Sequence, residues 1–513
     1  MITNSYDVVV IGATHSGLIC SALLTKRGFR VLVVGHDSPP PSYKALGLDL
    51  PRSPFTDTAD HSPISRRIYA ELALNQILRR RSHSVDPILQ VALPDHRFEL
   101  PLDQSQLLDR ELEREFPAIK WPVEEFLALA RSTGEVFDPL VRHNLTWPPD
   151  SFWERRRLRQ VARMLPPALR GAPHPSPLDQ IPSRHAFRLT LDAPLRFSSH
   201  LDPSQRSPLA TARLYQGWLQ GPQWIEGGHA RLHRTLVDKV RSSTGEVLSD
   251  QRVDKLIIRR GAVTSVKMAG SGDEIGCDSV VSSLDLSELL RILPSRDPFV
   301  DLFDRIGEPQ ARLFRYTLNV VIRAEGLPVG MGRHAFMIRD PKRELSDENL
   351  LRVESHPVTD DGLALLCVQA LLSRRLGPGA STGGKLIRQR VLESLRTLVP
   401  FLDEHLVMVD SPHDGLPIED RRGGRTIEPS SPWSRGPHTM EAIFGYPVLG
   451  PMGLCALPTR SPIRRLLLTG RQVIPALGLE GELLSAWSAA KIITAGDRRK
   501  EWMRRRLWTK VEL

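Results

Sequence analysis

The stretch from Asp7 to Gly17 reads DVVVIGATHSG. Its first half, Asp7 to Ile11, is a β-branched run without polar alternation, the pattern of a strand covered on both faces in a parallel sheet. A glycine turn follows at Gly12. From Ser16 to Gly28 the residues Leu18, Ile19, Ala22 and Leu23 recur at helical spacing. Lys26 and Arg27 complement the C-terminal dipole, and Gly28 stands where a helix is capped. Arg30 to Val34 then supplies a second strand. Strand, glycine turn, helix and strand within about thirty residues predict the right-handed βαβ unit of a dinucleotide-binding fold, with a pyrophosphate at the helix N-terminus.

Two positions depart from the pattern. G-x-G-x-x-G needs glycine at 12, 14 and 17, and the sequence has Gly12, Thr14 and Gly17, so a Cβ and a hydroxyl stand where backbone approaches phosphate. An acidic residue is expected after the second strand to hold a ribose hydroxyl, yet Gly35 stands there, followed by His36 and Asp37. A doubly wound domain that has lost its nucleotide is the alternative reading of the same residues.

Working outward, 513 residues at about 150 per domain allow about three folding units. Hydrophobic residues at 41% supply a sizeable core, and this excludes a wholly disordered chain. The net charge of +10 points to an anionic surface or ligand among the partners. Cys20, Cys277, Cys367 and Cys455 lie far apart without a Cys-x-x-Cys pair, which argues against a zinc ribbon or disulfide framework and for a reducing, cytoplasmic setting. The N-terminal MITNSYDVVV has no cation ahead of its apolar run, the wrong flank for a secretory signal. Thr14, His15 and Ser16 break the best candidate for a membrane span, Val8 to Leu24.

Ser38 to Ser53 is Pro-rich and reads as a loop leaving the sheet. Ile64–Arg80 and Gln104–Arg131 read as helical, and the prolines of Leu165–Ser183 as loop or linker. Past Trp224-Ile225-Glu226-Gly227-Gly228, a helix carries Leu232, Leu236, Val237 and Val240 on one face. Val253–Ile258 and Val263–Met268 then alternate as strands around a turn at 259–262, and Val280-Val281 reads as a strand returning to a core.

The order of these pieces resembles the phytoene desaturase family of FAD-dependent oxidoreductases, within the wider amine oxidase-like flavoproteins. The likeness rests on the N-terminal βαβ, the mid-chain glycine pair with its helix and meander, and the segment LLLTGRQVIPALGLEG, from Leu466 to Gly481. Gly470, Pro475, Gly478 and Gly481 fall where that family has its own glycines and proline. The resemblance implies an α/β chain: a Rossmann-like FAD-binding domain from 1–60, 215–290 and 455–495, and an inserted α+β substrate domain from 61–214 and 291–454. Tyr316 to Arg323 resembles a strand of that substrate domain. It further implies that Gly12, Thr14, Ser16 and Gly17 lie along the pyrophosphate, His36 near the ribose and the Val253 backbone at the adenine end. Gly470, Arg471, Gly478 and Leu479 would pass beside the ribityl chain and flavin ring. Departures here are the missing Gly-Gly after the ribose acid, Glu226 where a basic residue is common, and Glu480 in place of a proline.

In such an enzyme the ring accepts the hydride, so no catalytic side chain is obligatory. The sequence offers no Ser-His-Asp set and no metal constellation. His15 and His438 lack partners at ligand spacing, and His229 with His233, at i and i+4, read as an exposed basic helix face. Glu480 and Arg471 are the catalytic candidates. Glu480 and Glu482 otherwise complement a helix dipole, and Arg471 otherwise bridges to Glu480. The tail 496–513 mixes arginines with Trp502, Met503, Leu507 and Trp508, which suits an anionic membrane surface or, equally, packing of the tryptophans on the body. No recognition motif supports nucleic acid. The expectation is a cytoplasmic FAD-dependent oxidoreductase, soluble or peripheral on the inner face of the membrane, acting on an apolar isoprenoid or lipid. The rival is a non-catalytic binding protein of the same fold.

Overall fold

The computed structural model describes residues 2–496 apart from 105, 143–144, 150, 172–173, 358, 360, 379–382 and 429–434. The opening strand, Ile2–Ile11, pairs in parallel with Val31–Val34 on one side and Glu274–Ser282 on the other. Gly245–Leu248 extends the sheet beyond Val31–Val34, and Leu466–Leu468 extends it beyond the end of Glu274–Ser282, both in parallel. Numbered in chain order, these parallel strands lie 3-2-1-4-5, the doubly wound order. The hairpin Val253–Arg259 and Ala262–Met268 joins the first half of Glu274–Ser282 in antiparallel sense and completes seven strands.

The apolar run Val8 to Ile11 is fully buried, as its lack of polar alternation requires. The helix His15–Lys26 is buried along almost all its length between the sheet and the helices Gly228–Arg241 and Gly478–Gly496. Its Cys20, Ser21 and Ala22 are small enough to admit that approach. Strand order reverses between Ile2–Ile11 and Glu274–Ser282, whose chains continue to opposite sides. A crevice therefore opens at their carboxyl ends, at Gly12 and Ser283, which is where open α/β sheets bind ligands.

A second sheet of ten strands is centred on Gln310–Arg323, flanked by Leu363–Ser373 and Leu406–Asp410. Leu89–Ala92 and Arg97–Leu100 enter it from far earlier in the chain by parallel pairing with His334–Ile338. The helix Gly384–Leu398 lays Ile387, Val391 and Leu395 on one face of this sheet. Ala186–Ser198 packs against its strands His334–Ile338 and Asp347–Ser355.

Several local expectations change. Ser38–Ser53 contains a hairpin, Ser42–Ala45 with Leu48–Pro51, because Leu46 and Gly47 both take positive φ and turn the chain between them. The helical reading of 64–80 splits into Pro63–Glu71 and Asn75–Arg79, with Ala73 at positive φ between them. That of 104–131 splits into Gln106–Glu115 and Lys120–Arg142, with Pro117 starting a single 3₁₀ turn between. Gly245–Leu248, the third parallel strand, carries no strong sequence signal, and neighbouring Val31–Val34 imposes it.

Gly35 illustrates how tightly these strands end. Its N–H donates to the Leu248 carbonyl at 2.9 Å, and any Cβ there would overlap the Ser249 carbonyl oxygen. An acidic side chain is sterically barred, which is the physical reason the expected ribose ligand is missing. Gly35→Ala should lower the urea unfolding midpoint by an amount worth at least ~2 kcal/mol, because the overlapped atom is backbone and cannot swing away.

Candidate functional site

Gly12, at φ +99°, makes the turn after the opening strand, and a Cβ on either Gly12 or Gly17 would collide with the Ser283 side chain. Ser283 Oγ instead donates to the Gly12 carbonyl at 3.0 Å and the Ile11 carbonyl at 3.2 Å. From the far end of the chain Gly470, at φ +105°, arrives so closely that its Cβ would stand 3.1 Å from Ser16 Oγ. The turn at 12–17, the end of Glu274–Ser282 and the segment before the closing helix thus meet at one point, the reversal of strand order.

Thr14 is the N-cap of helix His15–Lys26, and its Oγ1 accepts from the Gly17 N–H at 3.2 Å. Ser16 Oγ lies 3.2 Å from the same oxygen. One amide that would serve a phosphate is therefore met by the residue replacing the second glycine. His36 is buried, at φ +49°, and its Nδ1 accepts from the Val253 N–H at 3.1 Å. The structure brings His36 and Val253 together as expected, but bonded to each other. Gly478 packs on the end of helix Ala186–Ser198, where a Cβ would overlap the Ser198 carbonyl oxygen. Leu479, next to it, is half-buried.

Sequence reasoning missed the histidines. His229 stacks on Phe55 with ring centroids 5.0 Å apart, and His15 faces it at 5.8 Å, so His229 is no part of an exposed helix face. His15 is 6% exposed, and both its ring nitrogens, with Nε2 of His229, lack hydrogen-bond partners among the described residues. Burial pushes each of these imidazoles down to about 4. They start two helices, and Gly228–Arg241 has no side-chain cap at its N-terminus. Orphaned donors and an uncapped helix end facing one crevice are the equipment of an anion site. The separation of 15 and 229 in sequence hid the pair.

A polar chain crosses the crevice mouth. Arg471 donates to Asp285 at 2.8 Å and lies 3.4 Å from Glu441, and Arg315 donates to Glu441 at 3.3 Å. Arg315 Nη1 also donates to His200 Nδ1 at 3.0 Å, so that nitrogen accepts, and the ring proton sits on Nε2, 2.8 Å from Glu482. The guanidinium groups of Arg471 and Arg315 hold the Glu441 carboxyl down at about 2.

Glu480 stands in the first turn of the closing helix, where its charge complements the dipole, and it also has a buried partner. Its carboxylate receives Arg213 at 2.6 and 2.9 Å, with Ser62 on the same group, and Arg213 also reaches Asp138 at 2.8 Å. Arg471 accordingly does not bridge to Glu480. Both Arg213 and Glu480 are buried, and burial, which would raise the carboxyl, is outweighed by the guanidinium, which keeps it lowered. The pair joins the closing helix to helix Pro208–Leu219.

No protein-family model and no curated protein matches this chain by sequence. Solved structures do match. An oxidoreductase from Methanosarcina mazei aligns with a TM-score of 0.57 at 14% identity, over 94% of this chain and 99% of that one. Cyclohexylamine oxidase from Brevibacterium oxydans gives 0.54 at 14%, over 96% and 99%. Putrescine oxidase bound to putrescine gives 0.53 at 14%, also over 96% and 99%. What this chain shares with these oxidoreductases is the fold: a Rossmann-like α/β sheet joined to a second, mixed sheet.

Two outcomes follow from the geometry. Glu480→Gln should cost about 3 kcal/mol in chemical denaturation, because it strands a buried guanidinium that, among the described residues, keeps only Asp138 as a charged partner. His15, neutral when folded and titrating near 6.5 when unfolded, stabilises the fold above that pH. Its contribution disappears as pH falls from 6.5 toward about 4, since the unfolded chain then binds the extra proton. Stability measured across that window should fall less steeply in His15→Leu than in the parent, by up to about 1.4 kcal/mol per pH unit.

Proposed function

We propose that the chain is an FAD-dependent oxidoreductase with its cofactor in the crevice at the strand-order reversal. The observation that carries this reading is the meeting of Gly12–Gly17, Ser283 and Gly470 at that point, in a fold shared with oxidoreductases. The residues fit the group at the pyrophosphate and flavin parts. Ser16, Gly17 and His15 would border the phosphates, and Gly470, Arg471 and Leu479 the ribityl and ring, with Arg471 supplying positive charge for a reduced flavin. At the adenosine part the Val253 amide is already engaged by His36, so the side chain must leave for an adenosine to be held there. When bound, FAD supplies a hydride acceptor. The chain's own contribution is to orient the substrate, to exclude water with Phe55 and His229, and to hold charge through the Arg471–Glu441–Arg315 series.

The substrate we propose, on the family resemblance, is a largely apolar molecule of isoprenoid or lipid type, oxidised by hydride loss. A second reading, a non-catalytic binding protein of this fold, is favoured by the self-capping of Thr14 and the bond between His36 and Val253.

Absorbance separates them. Purified protein, or protein incubated with FAD and desalted, should show flavin bands that dithionite bleaches; folded protein that stays colourless supports the binding role. Thr14→Gly and His36→Ala should each raise the FAD retained after desalting, by freeing the Gly17 and Val253 amides respectively. Unchanged retention in both would remove these side chains from cofactor recognition.

A further inference from the structure

The helix Phe152–Met164, FWERRRLRQVARM, is poorly buried for a helix of a folded body: Leu158 is its one fully buried residue. Phe152, Trp153 and Met164 are 63%, 70% and 72% exposed. Arg155, Arg156, Arg157, Arg159 and Arg163 are exposed as well. Among the described residues, Arg156, Arg157, Arg159 and Arg163 have no carboxylate partner. At about 100° per residue, Trp153 and Met164 fall within about 20° of one another on the outward face, with Arg156 and Arg163 on one side and Arg157 on the other. The phenyl ring of Phe152 meets the indole edge-on at 5.6 Å, and the Arg156 guanidinium lies 5.9 Å from its centroid.

The helix is nevertheless a built element. Ser151 and Glu154 form a capping box, and Glu154 also receives the Thr146 N–H at 2.9 Å and lies 3.5 Å from Lys491 of the closing helix. Lys491 stands five residues before Gly496, after which the chain continues into its second arginine- and tryptophan-rich stretch. That stretch, 497–513, lies outside the described residues.

We propose that helix Phe152–Met164 docks on an anionic phospholipid surface, its arginines at the headgroups and Trp153, Phe152 and Met164 inserted between them. Charge complementarity selects the partner's sign, and the exposed apolar side chains between the cations select a surface that offers acyl chain as well as phosphate. A nucleic-acid backbone offers the charge alone. Among the described residues no helix is long and apolar enough to cross a membrane, so the docking proposed is peripheral. It would bring the protein to where an apolar substrate resides, but it does not depend on the cofactor assignment.

Co-sedimentation of the full chain with phosphatidylcholine vesicles, with and without phosphatidylglycerol, tests this. Binding should require phosphatidylglycerol and weaken in high salt. The triple variant Arg156→Gln, Arg157→Gln, Arg163→Gln should bind roughly 100-fold less, at about 5-fold per arginine, with its unfolding midpoint unchanged. Brominated lipid should quench part of the tryptophan emission in the parent, and that part should fall in Trp153→Ala. Parent-like vesicle binding by the triple variant, quenching undiminished in Trp153→Ala, or loss of affinity for a DNA duplex with vesicle binding intact would overturn the proposal. Flavin content is measured on the same samples, so a colourless protein that binds vesicles sinks the oxidoreductase reading alone.

Discussion

Backbone contact at the carboxyl end of the opening strand is the constraint from which the rest of the molecule follows. Gly12, Gly17 and Ser283 are so close that the two glycines admit no Cβ, and Gly470 approaches Ser16 with little more room. Residues from three distant parts of the chain are pinned there, and the parallel strands behind them inherit their register. Because successive strands leave this point in opposite directions, the same junction that organises the core also leaves the crevice in which a ligand can sit.

Two charged networks lie around that junction. Arg213 with Glu480 and Asp138 ties the closing helix to the body, while the run Asp285–Arg471–Glu441–Arg315–His200–Glu482 spans from the end of one sheet to the strands of the other. A buried pair such as Arg213–Glu480 contributes modestly to stability compared with an apolar core, but it is costly to break once formed. Such pairs therefore fix one arrangement of the two sheets more than they deepen it. The histidines behave differently. Held neutral by burial, His15 and His229 carry ring nitrogens that have no hydrogen-bond partner among the described residues.

Departures from the dinucleotide pattern prove to be coupled to local packing. Thr14 occupies a glycine position and caps its own helix; Gly35 occupies an acidic position because Ser249 backbone fills the space; His36 turns inward to satisfy Val253. Each substitution replaces a contact a nucleotide would make with one the chain makes to itself. Glu480, read from sequence as a group near a ring, belongs to the same lesson, since its partner Arg213 lies more than two hundred residues away and no local pattern announces it.

The sequence by itself determined the elements whose signal is local: the buried strand at Val8–Ile11, the helix and glycine turn after it, the meander at 253–268, and the closing glycine segment with its helix. Periodicity and turn chemistry act over a few residues, so these were legible, and their order was enough to indicate the fold. Only the tertiary structure decided the third parallel strand, the hairpin at 42–51, the pairing of His15 with His229 and the partners of Arg471 and Glu480. Those features depend on which distant side chains share one interior space, and that is set by packing and charge compensation across the whole chain, about which a short window of residues carries no information.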